Sequence, residues 1–322
     1  MKFFRRFQSK ANVPKKDLEV SADPAAAIGQ LELLSRNAVD GLLSGKHRST
    51  HRGGTSDFAE HREYSFGDDI RRIDWRLHAR NDRYHVRTYE DETNLKALIV
   101  VDASGSMRYE GATASKFDVA RSIAACLARL MMRQRDSVGL ALIDESVRIE
   151  VPAGLRPSTL MRINQTLADA TIAGGSDVAG CLKALRPSAR RRGMMVLISD
   201  CFGDPEDLRT ALATWTAAGH DCVVVELLAP EEIEFAFRGT VVFDDLEQVG
   251  SRLEMDAGQI RQIYLERFTK HREMVADAIR RSRADQLTLR TDASIAETLR
   301  QFLIRRTARA RARAGGARRG AF

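Results

Sequence analysis

Residues 99–107 read IVVDASGSM. The apolar run LKALIVVD, which opens at Leu95, reads as a buried strand, and it stops at Asp102. Small and hydroxyl residues take over at once. Asp102, Ser104 and Ser106 then place three oxygen-bearing side chains on alternate positions where the strand gives way to a loop. One reading of the triplet is helix capping, because Ser and Asp satisfy the free N–H groups at a helix start and this loop leads towards a helix. The other is a ligand site.

The chain beyond the triplet alternates between helix and strand patterns. Lys116–Arg133 is expected as a helix. SVGLALID and VRIEVPA are two strands joined tightly around Asp144–Ser146, and helices are expected at about Ser158–Ala170 and Val178–Leu185. GMMVLISD is the next buried strand, leading to a helix at Pro205–Ala218 and the strand CVVVELL. TVVFDDLE and SRLEMDA read as a second hairpin, inserted at about 236–256. A long amphipathic helix over about Gly258–Arg283, the strand DQLTLRT and a helix over Ile295–Arg305 complete the pattern. Strands alternating with helices mean an α/β fold with a mostly parallel sheet covered on both faces. Such sheets place ligands at the carboxyl ends of their strands.

Two further segments point to that edge. GMMVLISD ends on Asp200, and AGGSD (173–177) presents Ser176 after a glycine pair that allows close backbone approach. Two carboxylates and three hydroxyls thus converge on one edge. An all-oxygen set suits a hard divalent cation, Mg²⁺ or Mn²⁺, and two buried aspartates without a cation would be costly.

These residues resemble the metal-ion-dependent adhesion site of von Willebrand factor A domains: D-x-S-x-S at Asp102–Ser106, Ser176 in GGS, and Asp200 in LISD. The resemblance implies a Rossmann-like sheet with one antiparallel edge strand. It also implies direct ligation by Ser104, Ser106 and Ser176, with Asp102 and Asp200 acting through water or as supporting acceptors. The family's usual threonine is a serine at 176. One coordination position would stay open to a partner's Asp or Glu. A second segment, SGKHRSTHRGGTSDFAEHREYSFGDDIRRIDWRLHARNDRYHVRTYEDET, looks like the signature of the family called domain of unknown function fifty-eight, with GDDIRRIDW its most distinctive stretch. Members commonly occur beside MoxR-type AAA+ ATPases, which implies such a partner.

The expected organisation is a mobile, basic segment over 1–24 and a signature segment over 25–92, with a helix from Pro24 to Leu43, a short helix around Ile70–Ala79 and a strand around Tyr84–Tyr89. The A-like domain comes next over 93–305, then an Arg-rich tail over 306–322. Within the signature, Asp68, Asp69, Arg71, Arg72, Asp74, Arg76 and Arg80 read as a salt-bridged network that Trp75 packs onto the A-like domain. The alternative is a docking face for a partner.

Composition narrows the function classes. Of 322 residues, 43% are hydrophobic and 30% charged, as in a soluble globular protein. No apolar stretch approaches the roughly 18 residues of a membrane span, and MKFFRRFQSK lacks the apolar region of a signal peptide, so a cytoplasmic location is expected. Four cysteines without a CxxC pair argue against a disulfide framework or structural zinc. The net charge of +7 equals the seven arginines of the tail from Arg305 on, which holds no acid. That tail reads as solvated. Its functional alternative is binding to phosphates of nucleic acid or anionic lipid, although aromatics for base stacking are absent apart from Phe322. Phe3, Phe4 and Phe7 among Lys2, Arg5 and Arg6 suit contact with a membrane surface but form a short anchor.

Enzymatic readings fit poorly. DASGSM is not a G-x-S-x-G elbow, and His220 falls before a strand, at the wrong end for a base reaching Ser104. GLLSGKH misses the P-loop spacing and puts His47 where Ser or Thr belongs. His47, His51, His61 and His78 lack zinc-ligand spacing. The expectation is a non-catalytic, metal-dependent protein-interaction module.

Overall fold

The structure is a computed structural model that describes residues 7–8, 56–63, 75–81, 83–91, 95–111, 114–172, 174–185, 193–246 and 252–306. Contacts divide the chain into two units, Lys46–Leu95 and the remainder. The helix expected at Pro24–Leu43 and the tail beyond Arg306 lie outside the described residues.

The remainder opens with a two-residue strand, β1 (Phe7–Gln8). The unit Lys46–Leu95 holds β2 (Ser56–Glu63), helix α1 (Trp75–Asn81) and β3 (His85–Asp91). β2 and β3 pair antiparallel, with a register shift between Phe58 and Glu60. β3 is the strand expected around Tyr84–Tyr89. β2 lies in a stretch where sequence patterning points to no strand, because SDFAEHRE has no apolar alternation.

The larger unit continues with β4 (Lys96–Asp102), α2 (Lys116–Arg133), β5 (Ser137–Ile143), β6 (Val147–Gly154), α3 (Pro157–Asp169), α4 (Val178–Leu185) and β7 (Met194–Ser199). Then come α5 (Pro205–Ala217), β8 (Asp221–Leu228), α6 (Pro230–Glu234), β9 (Thr240–Asp245), β10 (Arg252–Asp256), α7 (Ala257–Arg281) and β11 (Asp285–Arg290). Helix α8 covers residues 295–306. Caps set several helix starts. Ser115 accepts from the Asp118 N–H ahead of α2, and Asp204 accepts from two N–H groups ahead of α5, where Pro205 takes the first position.

Six strands form the central sheet in the order β11-β8-β7-β4-β5-β6. All neighbours are parallel except β6, which runs antiparallel to β5 at the edge. This is the mostly parallel α/β sheet with one antiparallel edge that the sequence predicts. Side chains alternate across β4: Ile99 and Val101 join an apolar layer with Phe117 and Ile123 of α2, whereas Val100 joins Leu182, Leu212, Trp215 and Val275 on the other face. Both faces of the strand are therefore covered, which explains its unbroken hydrophobic run.

A second sheet, β1-β9-β10, contains the expected hairpin insertion. Phe7 and Gln8, expected in a mobile segment, are instead paired with Asp245 and Asp244, because β9 offers an edge whose backbone groups accept another strand. Arg306, placed by sequence in the tail, closes α8 and pairs with Asp221 and, at 3.6 Å, Asp285.

The chain leaves β4 towards β5 and β6, then crosses back to β7 on β4's other side. The carboxyl ends of β4 and β7 therefore flank a topological switch point, where sheets of this kind form a crevice.

Candidate functional site

At that switch point Asp102 ends β4 and Ser199 ends β7. The register that sets Val101 beside Ile198 brings the two together. Ser199 Oγ donates to Asp102 Oδ2 at 2.7 Å, and the Ser104 N–H donates to Asp102 Oδ1 at 3.0 Å. Both carboxylate oxygens thus hold donors from the protein. Ser104 Oγ and Ser106 Oγ lie 3.0 Å apart, and both residues are fully buried.

Helix capping does not account for the triplet. Ser104 precedes the short 3₁₀ turn Gly105–Arg108, but its side chain makes no cap hydrogen bond there, and α2 takes its cap from Ser115. The two hydroxyls face each other instead of a helix end.

The loop carrying Ser176 is tied to this turn by the backbone. The Gly105 N–H donates to the Gly174 carbonyl at 3.0 Å, and the Asp177 N–H donates to the Asp144 carbonyl at 2.9 Å. Gly174 has φ +75°, a conformation open to glycine at no steric cost. The Gly175 N–H donates to Glu145 Oε1. Ser176 is half-buried on the loop so anchored. Its neighbour Asp177 is committed elsewhere, since its Oδ1 accepts from the Gly180 N–H and caps α4.

Asp200 comes directly after β7 and is buried. Cys201 behind it adopts φ +54°, turning the chain sharply, with its N–H donating to Ser199 Oγ. Asp200 has a partner that the sequence reading missed. Lys116, the first residue of α2, is fully buried and places Nζ 3.2 Å from Asp200 Oδ2. The same ammonium donates to Glu232 Oε1 on α6, while Glu232 Oε2 accepts from the Ala229 N–H at 2.8 Å. The Phe202 and Tyr109 ring centres lie 5.0 and 5.6 Å from Nζ. Burial pushes the Glu232 carboxyl upward, and the Lys116 charge opposes that shift. One signal for Lys116 was present in the sequence, because a lysine at the positive end of a helix dipole is misplaced for helix stability. Ser199 and Glu232 carried none.

Several groups stand apart from the site or beside it. His220 precedes β8 at the opposite end of the sheet and packs against Trp215, 4.9 Å between ring centres. His271, which sequence patterning did not single out, hydrogen-bonds the Cys201 carbonyl through Nε2 at 3.1 Å and stacks on Phe202. Burial pushes the Cys126, Cys181 and Cys222 thiols up to about 12, so none is a ready thiolate. Of the candidate docking residues, Asp68, Asp69, Arg71, Arg72 and Asp74 lie outside the described residues. Trp75 is 57% exposed and meets His78 and Tyr84 edge-on, within its own unit. Arg80 lies on α1.

Among the described residues, no group of three or more His, Cys, Asp or Glu side chains is gathered as a metal cage. A cation here would have to be held with hydroxyls, and the donor set fits that role in type. Ser104 and Ser106 supply hard oxygens in contact, next to Asp102. Asp200 lies at the same edge of the sheet, its Oδ2 3.2 Å from Lys116 Nζ.

The family described as "Protein of unknown function DUF58" matches residues 60–274. The chain is 34% identical over 272 residues to "Uncharacterized protein Rv1480" of Mycobacterium tuberculosis, covering 83% of this chain and 85% of that protein. An "Uncharacterized protein MAV169" of Mycobacterium avium is 37% identical over 134 residues, 42% of this chain and 78% of the relative. Among solved structures, the conserved hypothetical protein BatB from Bacteroides thetaiotaomicron is similar, with a TM-score of 0.47, 14% identity, and coverage of 66% of this chain and 98% of that one. The SpRpn10 VWA domain gives a TM-score of 0.41 at 8% identity, over 65% and 95%. No helix among the described residues is long and apolar enough to cross a membrane.

Proposed function

This chain belongs to the family described as "Protein of unknown function DUF58", and we propose that it is a divalent-metal-dependent protein-interaction module acting as an adaptor for a MoxR-type AAA+ ATPase. Supporting this reading above all is the buried pair Ser104–Ser106, whose hydroxyls face each other beside Asp102 and are not used as helix caps. Ser104, Ser106 and Ser176 would hold Mg²⁺ or Mn²⁺ directly. Asp102 and Asp200 would support the ion, Asp102 from a position already fixed by Ser199 and the Ser104 N–H. A bound ion supplies an open coordination position that a partner's Asp or Glu completes. The chain's own backbone ties three loops at this edge together, through the Gly105–Gly174 and Asp177–Asp144 bonds. The ATPase partner rests on the family resemblance.

The test is a lysate pull-down with the purified chain in Mg²⁺ and again in EDTA, with retained proteins identified by mass. A partner should be held only with the metal, and Asp102→Ala or Ser104→Ala should abolish its retention while the protein stays folded. Retention by both variants would sink the proposal. A partner set indifferent to metal but lost on deleting residues 307–322 would move the function to the arginine tail, with steep salt dependence as its signature.

A further inference from the structure

Lys116 is the one feature of this site that a simple metal-binding loop does not need. Its charge is fully buried, which is costly, and it stands in the first turn of α2, where the helix dipole disfavours a cation. The helix does not gain from it. Its ammonium is instead committed to Asp200 and Glu232, carboxylates 84 and 116 residues further along the chain, and is flanked by the rings of Phe202 and Tyr109. Asp200 is also one of the acids that would support a divalent ion.

We propose that Lys116 is a resident cation that shares Asp200 with the divalent ion and holds the metal affinity of the free protein down. The inference rests on the metal-dependent reading above and adds a regulation to it. With one positive charge built in beside Asp200, the carboxylate is partly neutralised before any metal arrives, and the ammonium repels the incoming ion. A partner's carboxylate adds the negative charge that offsets this repulsion. Metal and partner therefore bind with positive coupling, each raising the affinity for the other by the same factor. Glu232 gives the ammonium a second acceptor, so Lys116 can lean towards α6 when the ion draws on Asp200.

The experiment is Mn²⁺ titration of the full chain by calorimetry, comparing the natural protein with Lys116→Gln and Lys116→Met, each checked for folding by circular dichroism. Removing the charge should lower the Mn²⁺ dissociation constant about tenfold or more. An unchanged or weaker affinity in folded variants overturns this inference and leaves the metal site standing. Absence of Mn²⁺ binding in the natural protein and in both variants overturns the metal reading and this inference together. A second measurement needs no charge-removing variant. The chain labelled with ¹³C at lysine Cε is titrated with Mg²⁺, and the Lys116 signal is identified by its loss in Lys116→Arg. That signal should shift with metal occupancy, and a signal unmoved at saturation overturns the proposal.

Discussion

Replacing Gly105 by alanine should drive a methyl group into two backbones at once. A Cβ at this position lies 2.2 Å from the Leu246 carbonyl oxygen, 2.9 Å from its carbonyl carbon and 3.1 Å from the Gly174 carbonyl oxygen. None of these atoms is the movable end of a side chain. Gly105 itself donates to Gly174, so relief by backing away breaks that bond. Overpacking of this kind costs about 1–3 kcal/mol, and with backbone on two sides the upper end applies. For a unit of this size about 3 kcal/mol lowers the melting temperature by roughly 6–12 °C. Gly203 supplies the control, on the loop after β7 at the same edge of the sheet, because a Cβ there meets nothing within 4 Å. Thermal unfolding monitored by circular dichroism should show Gly105→Ala well below the natural protein and Gly203→Ala close to it. Equal melting temperatures for all three would refute the close approach of Leu246 to the serine turn.

Two other outcomes are expected of the core. Asn164 on α3 is 1% exposed, and neither its amide nitrogen nor its oxygen has a hydrogen-bond partner among the described residues. Asn164→Leu should therefore raise stability by about 1–2 kcal/mol in urea unfolding, and a loss would show that the amide is bonded in solution. The thiols of Cys126, Cys181 and Cys222, raised from 9.0 to about 12 chiefly by burial, are neutral in the fold while the unfolded chain ionises near its ordinary value. Their contribution to stability is complete below about pH 9 and fades as the pH climbs towards 12. At pH 8 Ellman's reagent should leave the native protein unlabelled over minutes. Rapid labelling would contradict the burial.

Much of the central fold was legible because its core lies in alternating layers. The bounds of α2 and α4 match the expected Lys116–Arg133 and Val178–Leu185, and β4 shows its burial as an unbroken apolar run. Strand β2 was not legible, since SDFAEHRE carries no apolar alternation. Asp102, Ser104 and Ser106 could be read from spacing because local chain geometry places them. The bonds from Lys116 to Asp200 and Glu232 depend on how β7, β8 and α6 dock, and no local pattern encodes that. Asp177 shows the converse: beside Ser176 it reads as a rival ligand, and only its bond to the Gly180 N–H reveals a cap.

The hydrogen bond from Ser199 to Asp102 spans 97 residues of chain. On a ribosome adding about 5–20 residues each second, that separation is on the order of 5–20 s of synthesis. Through that interval the strand whose serine bonds the β4 aspartate does not yet exist. Lys116 waits longer, because Glu232 is made after Ser199 and Asp200. Of the four inner strands, the first made thus waits through the longest stretch of chain to gain both its neighbours, and a nascent chain stalled before residue 199 carries the serine turn without the hydroxyl that donates to Asp102.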